Sequence, residues 1–118
     1  MIELQFFGMI IAVAIAGGIG SVLRLFIGQW QGKLPWGILL GNVVASFLVG
    51  LIIGNVFSLI LITGLAGGLS TFSSFAAQTV EFLRRGRIAQ ALLNVLANLL
   101  LSSTAVALGA WLSTALLK

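Results

Sequence analysis

The chain has 118 residues, of which 60% are hydrophobic and only 7% charged, with a formal net charge of +4. A soluble domain carries about 25% charged residues, so this composition excludes a water-covered globule and defines an integral membrane protein, read as a single all-α domain over residues 1–118. Cysteine and histidine are absent and Glu3 and Glu81 are the only acids, which leaves little for disulfides, metal clusters or hydrolytic chemistry.

Crossing the hydrocarbon of a bilayer takes about 20 apolar residues, and four stretches meet that need. Span 1 runs from Leu4 to Ile27. The opening MIELQFFGMI begins with an acid and continues into a long apolar run, so it reads as a retained span and not a secretory signal. Gly17, Gly18, Gly20 and Ser21 are small residues of the kind that let membrane helices approach closely. Arg24 near the end of the span has two readings: a side chain snorkelling to the interface, or a charge with a vestibule or structural role.

The polar stretch Gly28–Pro35 leads to span 2, Trp36 to Gly54. Asn42 and Ser46 lie four apart and share one helical face. Taken alone, Asn42 is read as an interhelical hydrogen bond, with a donor lining a pathway as the alternative. A short turn at Asn55 makes spans 2 and 3 a tight hairpin. Span 3 runs from Phe57 to Leu83, and Arg84–Arg87 (RRGR) separates it from span 4, Ile88 to Leu117. In span 4, Asn94, Asn98 and Ser102 recur every fourth residue. Such a polar stripe up one face of an apolar helix points to a polar pathway more than to packing, because intramembrane polarity is costly.

Lys33, Arg84, Arg85 and Arg87 fall on one side of the membrane, with Glu3 and Lys118 on the other. The positive-inside rule places the two basic loops in the cytoplasm, and Trp30, Trp36 and Trp111 fit interfacial belts. The basic charge speaks for topology and lipid headgroups, not nucleic acid.

The most unusual stretch is GGLSTFSSF, residues 67–75. Each glycine weakens a helix by about 1 kcal/mol relative to alanine. The Ser and Thr residues that follow offer side-chain partners to freed backbone groups. Together they predict a helix break at membrane depth, where freed carbonyls can coordinate a cation. Phe72 and Phe75, three apart, project to one side, and an aromatic edge carries partial positive charge. Two readings stand: an anion site built from neutral dipoles and ring edges, or a Gly/Ser packing patch with two core phenylalanines.

Three motifs in order, GGIGSVLRLFIG (17–28), GILLGNVVASFLVG (37–50) and GLAGGLSTFSSF (64–75), give a resemblance over nearly the whole chain. The chain resembles the Fluc-type (CrcB-like) fluoride channels, multi-pass proteins of the bacterial inner membrane. The resemblance implies four membrane helices, the third broken near its middle, in an antiparallel dual-topology dimer. It implies passive fluoride export through two pathways, with a central structural Na⁺ held by the backbone carbonyls of Gly67 and Ser70. It places Asn42, Phe72, Phe75, Asn94, Asn98 and Ser102 on the fluoride pathway. Arg24, Ser46, Ser73 and Ser74 are assigned to the vestibule or to structure. The chain departs from the family pattern at Asn94, where a tyrosine is usual, near Gln78, where an acid is common, and at Val106, aligned with a threonine.

Four Lys/Arg in the basic loops against Lys118 opposite suggest a preferred orientation and a heterodimer with an inverted homologue as the alternative to the homodimer. Two rivals complete the set. A proton-coupled multidrug exporter needs a carboxylate inside a span, and neither Glu3 nor Glu81 is central. A non-transporting membrane subunit predicts that Asn42, Asn94 and Asn98 bury against neighbouring helices beside no opening.

Overall fold

The computed structural model describes residues 2–52 and 59–116, the side chain of Leu59 aside. Every regular element among them is helical. Helix α1 spans Ile2–Ile27 and α2 spans Trp36–Ile52. A π-helical segment, Leu59–Ala66, runs into a single α-helical turn, α3, Gly67–Leu69. Two extended residues follow, then α4, Phe72–Arg84, and α5, Ile88–Leu116. The expected turn at Asn55 and the outer ends of spans 2 and 4 lie outside the described residues.

The helices α1 and α5 are about 39 and 43 Å long, more than the roughly 30 Å of hydrocarbon, so they tilt or protrude. Over its described residues helix α2 is about 26 Å long. The third segment, residues 60–84, is long and apolar enough to cross despite its break. The protein is therefore a multi-pass membrane protein.

Packing follows the glycines. Helix α1 lies along the π-helical segment and α3, while α2 and α5 share the most extensive helix interface. A Cβ on Gly20 would strike the Leu65 carbonyl oxygen, and one on Gly68 would strike that of Gly17. The same reciprocal closeness joins Gly50 to Val106 and Gly109 to Phe47. Gly18 has open space around it. The small residues of span 1 thus divide: Gly17 and Gly20 serve close approach, and Gly18 faces outward.

Helix α4 ends where the sequence places its basic turn. Gly86 has φ 73°. The Arg87 N–H donates to Phe82 O at 2.8 Å and the Gly86 N–H to Leu83 O at 3.1 Å. This is a Schellman closure with glycine in the left-handed position. Gln90 on α5 donates to Lys33 O at 3.1 Å. That bond puts the 28–35 loop and the start of α5 at one end of the molecule, as the charge pattern expects. Trp30 and Trp36 lie at the same end, with ring centroids 6.3 Å apart.

The molecule measures 57 × 31 × 19 Å. A helix with side chains is about 10 Å across, so the chain is a slab two helices thick. The groove described below lies open on a face of the described residues.

Candidate functional site

The break falls at Ser70 and Thr71, both extended, with φ, ψ of −81°, 156° and −151°, 119°. The Ser70 N–H still reaches Ala66 O at 2.9 Å. The Thr71 N–H does not follow the helix. It donates to Asn42 Oδ1 on α2 at 2.8 Å. Thr71 then caps α4, its Oγ1 accepting from the Ser74 N–H at 3.0 Å. In a continuous helix Thr71 N–H would serve Gly67 O, and Ser74 N–H would serve Ser70 O. Both carbonyls therefore lose their helical donors, and they are the two that the sequence motif nominates for a cation. Gly67 is exposed, and Gly67 and Ser70 both line a cleft of about 250 Å³ together with Ser46.

From Asn42 a line of hydrogen bonds crosses three helices. Asn42 Nδ2 donates to Asn98 Oδ1 at 2.9 Å. Asn98 Nδ2 donates to Asn94 Oδ1 at 3.1 Å and to Asn94 O at 2.8 Å. Asn94 Nδ2 donates to Thr79 Oγ1 at 3.0 Å, and Thr79 Oγ1 donates to Phe75 O at 2.9 Å. Each link satisfies a group whose burial without a partner costs about 1–3 kcal/mol.

Beside this line is an open groove of about 350 Å³. Asn42, Asn98 and Ser102 form its polar wall, with Ser46, Ser70 and Thr71 at the break. Phe72 and Phe75 flank it, ring centroids 6.0 Å apart and planes tilted by 56°. Phe72 is 80% exposed. Ser102 Oγ is buried and without a hydrogen-bond partner among the described residues. Among the described residues no charged side chain lines the groove.

A second cavity, about 610 Å³, shares Thr71 with the first as a lining residue. It is lined by half-buried Arg24 with Ser21, Gln29 and Ser74. Arg24 thus faces a cavity with hydroxyl and amide groups. Ser73 is exposed, with its hydroxyl 3.2 Å from that of Thr71.

The sequence-derived candidates accordingly separate. Asn42, Phe72, Phe75, Asn98 and Ser102 converge on one groove. Asn94 does not line it: this side chain is 0% exposed and stands behind the wall, held between Asn98 and Thr79. The reason is direction. The stripe puts Asn94, Asn98 and Ser102 on one face of α5, but at Asn94 that face is covered by α4. Two contributors were missed in the sequence. Thr71 carried the signal of an N-cap, a threonine immediately before a helix; Thr79 carried none. Glu81 is 46% exposed in its side chain and pairs with Arg85 at 2.8 Å near the end of α4. That position disposes of a proton-coupling acid at the centre of a span.

A membrane-spanning helix interrupted near its middle, carbonyls without their helical donors and a groove walled by neutral dipoles set this site apart from a plain helix-packing face in a multi-pass membrane protein. Residues 11–110 match the family profile described as "CrcB-like protein, Camphor Resistance (CrcB)". The chain belongs to this family. It is similar to proteins named "Fluoride-specific ion channel FluC" from three sources. The protein of Agrobacterium fabrum (strain C58 / ATCC 33970) is 40% identical over 111 residues, covering 82% of this chain and 89% of the relative. That of Klebsiella pneumoniae (strain 342) is 40% identical over 119 residues, covering 90% and 94%. That of Escherichia coli O17:K52:H18 (strain UMN026 / ExPEC) is 38% identical over 120 residues, covering 91% and 94%.

Proposed function

We propose that the chain is a subunit of a fluoride channel that releases cytoplasmic F⁻ passively down its electrochemical gradient. It is not an enzyme, in keeping with relatives named as ion channels. The observation that carries the reading is the groove: phenyl rings, hydroxyls and carboxamides meet there with no fixed charge among the described residues. Fluoride is small and strongly hydrated, so a path through oil must replace its waters. Neutral donors and ring edges do so without the grip of a buried Lys or Arg, and conduction needs sites that release as well as bind.

In this reading Arg24 draws the anion into the second cavity, whose hydroxyls and amides receive it beside Thr71. The ion then passes along Phe72 and Phe75, against Asn42 and Asn98, towards Ser102. Asn94 supports this wall from behind. Ser46 and Ser74 line the approaches to the break.

A slab two helices thick with Phe72 standing out of it needs a second wall. An inverted second copy supplies one, giving an antiparallel dimer with two grooves. The carbonyls of Gly67 and Ser70 suit a structural Na⁺ at the centre of that dimer, since oxygen dipoles without donors are what a hard cation takes from an unwound helix. The ion, when bound, holds the two breaks together. A heterodimer with an inverted homologue is favoured by one observation: Lys33, Arg84, Arg85 and Arg87 share one end of the molecule.

The test is fluoride efflux from liposomes containing only this chain, with chloride as control. Selective fluoride loss is expected. Absence of efflux from the pure chain, restored by an inverted partner, establishes the heterodimer. Absence in both cases removes the channel reading.

A further inference from the structure

The loop 28–35 is closed on itself by backbone hydrogen bonds. The Gly32 and Trp36 N–H groups both donate to Leu34 O, at 3.0 and 2.9 Å, and the Gly37 N–H donates to Trp30 O at 2.8 Å. Leu34 and Pro35 are buried, while Lys33 is exposed. The Lys33 carbonyl is tied to the Gln90 side chain at 3.1 Å. Gln90 stands three residues after Arg87, whose carbonyl accepts from the Ala91 N–H at 3.0 Å and opens α5, so the two lie on one side of the helix. Lys33 and Arg87 therefore flank the seam between this loop and the turn that joins α4 to α5. Both are exposed. Among the described residues the one ion pair is Glu81 with Arg85, and the chain's other acid, Glu3, lies at the opposite end of α1. No acid among the described residues answers the charge at the seam. Trp30 and Trp36 stand at the same end, and a Cβ on Gly32 would lie 2.8 Å from Trp36 Nε1, so this indole rests on the loop where a side chain is missing. Directly beyond Arg87, Ile88 and Leu92 share a face of α5 and are 67% and 59% exposed.

We propose that this seam is a binding site for an anionic phospholipid. Lys33 and Arg87 take its phosphodiester, and the indoles of Trp30 and Trp36 lie at headgroup depth, where an apolar ring with one polar edge is at home. The exposed Ile88 and Leu92 receive its acyl chains, which is what a free phosphate in water could not use. A zwitterionic lipid carries the same phosphate together with a cation that these side chains repel. The inference is independent of what the groove conducts.

Quenching of Trp30 and Trp36 fluorescence by brominated lipids tests the site. Trp111→Phe removes the third indole, and the full chain is reconstituted into mixtures of phosphatidylglycerol and phosphatidylcholine with one of the two brominated on its acyl chains. Phosphatidylglycerol is expected to be preferred by roughly thirtyfold, the scale of two cations beside an anionic headgroup, and by less at high salt. Lys33→Gln and Arg87→Gln each lower the preference by about fivefold. Arg85→Gln removes the same charge from the pair with Glu81 and leaves the preference within about twofold. Equal quenching by the two lipids overturns the proposal, and so does a preference that Lys33→Gln and Arg87→Gln leave unchanged. An equal loss in Arg85→Gln and Arg87→Gln also overturns it, marking diffuse surface charge in place of a site. Inorganic phosphate added at constant ionic strength leaves the preference intact; if it abolishes the preference, the cations take free phosphate and the lipid assignment is wrong. If Trp111→Phe does not reconstitute, the unaltered chain decides by its unfolding midpoint in micelles doped with either lipid. A higher midpoint with phosphatidylglycerol supports the site, and equal midpoints overturn it.

Discussion

Gly18 and Gly20 lie two residues apart in α1 and make opposite predictions. A methyl group at Gly18 meets nothing within 4 Å. Alanine there gains the helix propensity that glycine lacks, about 1 kcal/mol. A methyl group at Gly20 strikes the Leu65 carbonyl oxygen, lies 2.9 Å from Leu69 N and 3.1 Å from Gly68 C. All three are backbone atoms, so no side chain can rotate away, and α1 must separate from the third helix by something on the order of an ångström. Overpacking of this kind costs about 1–3 kcal/mol, and because the propensity gain is common to both substitutions the two variants differ by about that amount. The displacement also acts on Leu69, next to the break, so Gly20→Ala lowers conduction as well as stability. Equilibrium unfolding of each variant in mixed micelles of increasing SDS content measures the difference. Equal midpoints for Gly18→Ala and Gly20→Ala refute the argument, since only the neighbouring backbone distinguishes the two positions.

Phe72→Ile and Phe75→Ile lower fluoride efflux while leaving assembly by size-exclusion chromatography unchanged; full efflux in both takes the rings off the pathway. Asn42→Ala removes bonds to Thr71 and Asn98 worth about 0.5–1.5 kcal/mol each, and frees Thr71 N–H to return to Gly67 O. A fall in both stability and efflux is expected, and a stable, fully conducting variant contradicts the role given to Asn42. Replacing Na⁺ by a bulky organic cation during purification and reconstitution reduces efflux; identical rates in either cation sink the carbonyl site. Glu81→Gln loses an exposed pair with Arg85, of a kind worth under about 1 kcal/mol, so its unfolding midpoint stays close to that of the parent chain.

Much of the fold was legible because the bilayer simplifies the reading: apolar length places the spans, and the polar stretch Gly28–Pro35 and the basic run Arg84–Arg87 separate them. The break was legible as a region from Gly67 and Gly68 followed by hydroxyls. Its position between Ser70 and Thr71 was not, because Asn42, 29 residues earlier, captures the Thr71 N–H. The π-helical winding of Leu59–Ala66 has no signature in LILITGLA. For the site, spacing correctly put the polar residues of α5 on one face. Which of them meets the groove depends on where α4 lies across that face, a tertiary fact no single helix carries. Thr79 was invisible for the same reason: its significance comes from Asn94, on another helix.

The hydrogen-bonded line behind the groove consists of amides, hydroxyls and backbone groups throughout. None of these gains or loses a proton over the pH range in which bacteria live. Acidity therefore has no handle on its bond directions, so the wall keeps one shape when the medium turns sour, the condition under which a weak acid such as HF enters a cell fastest.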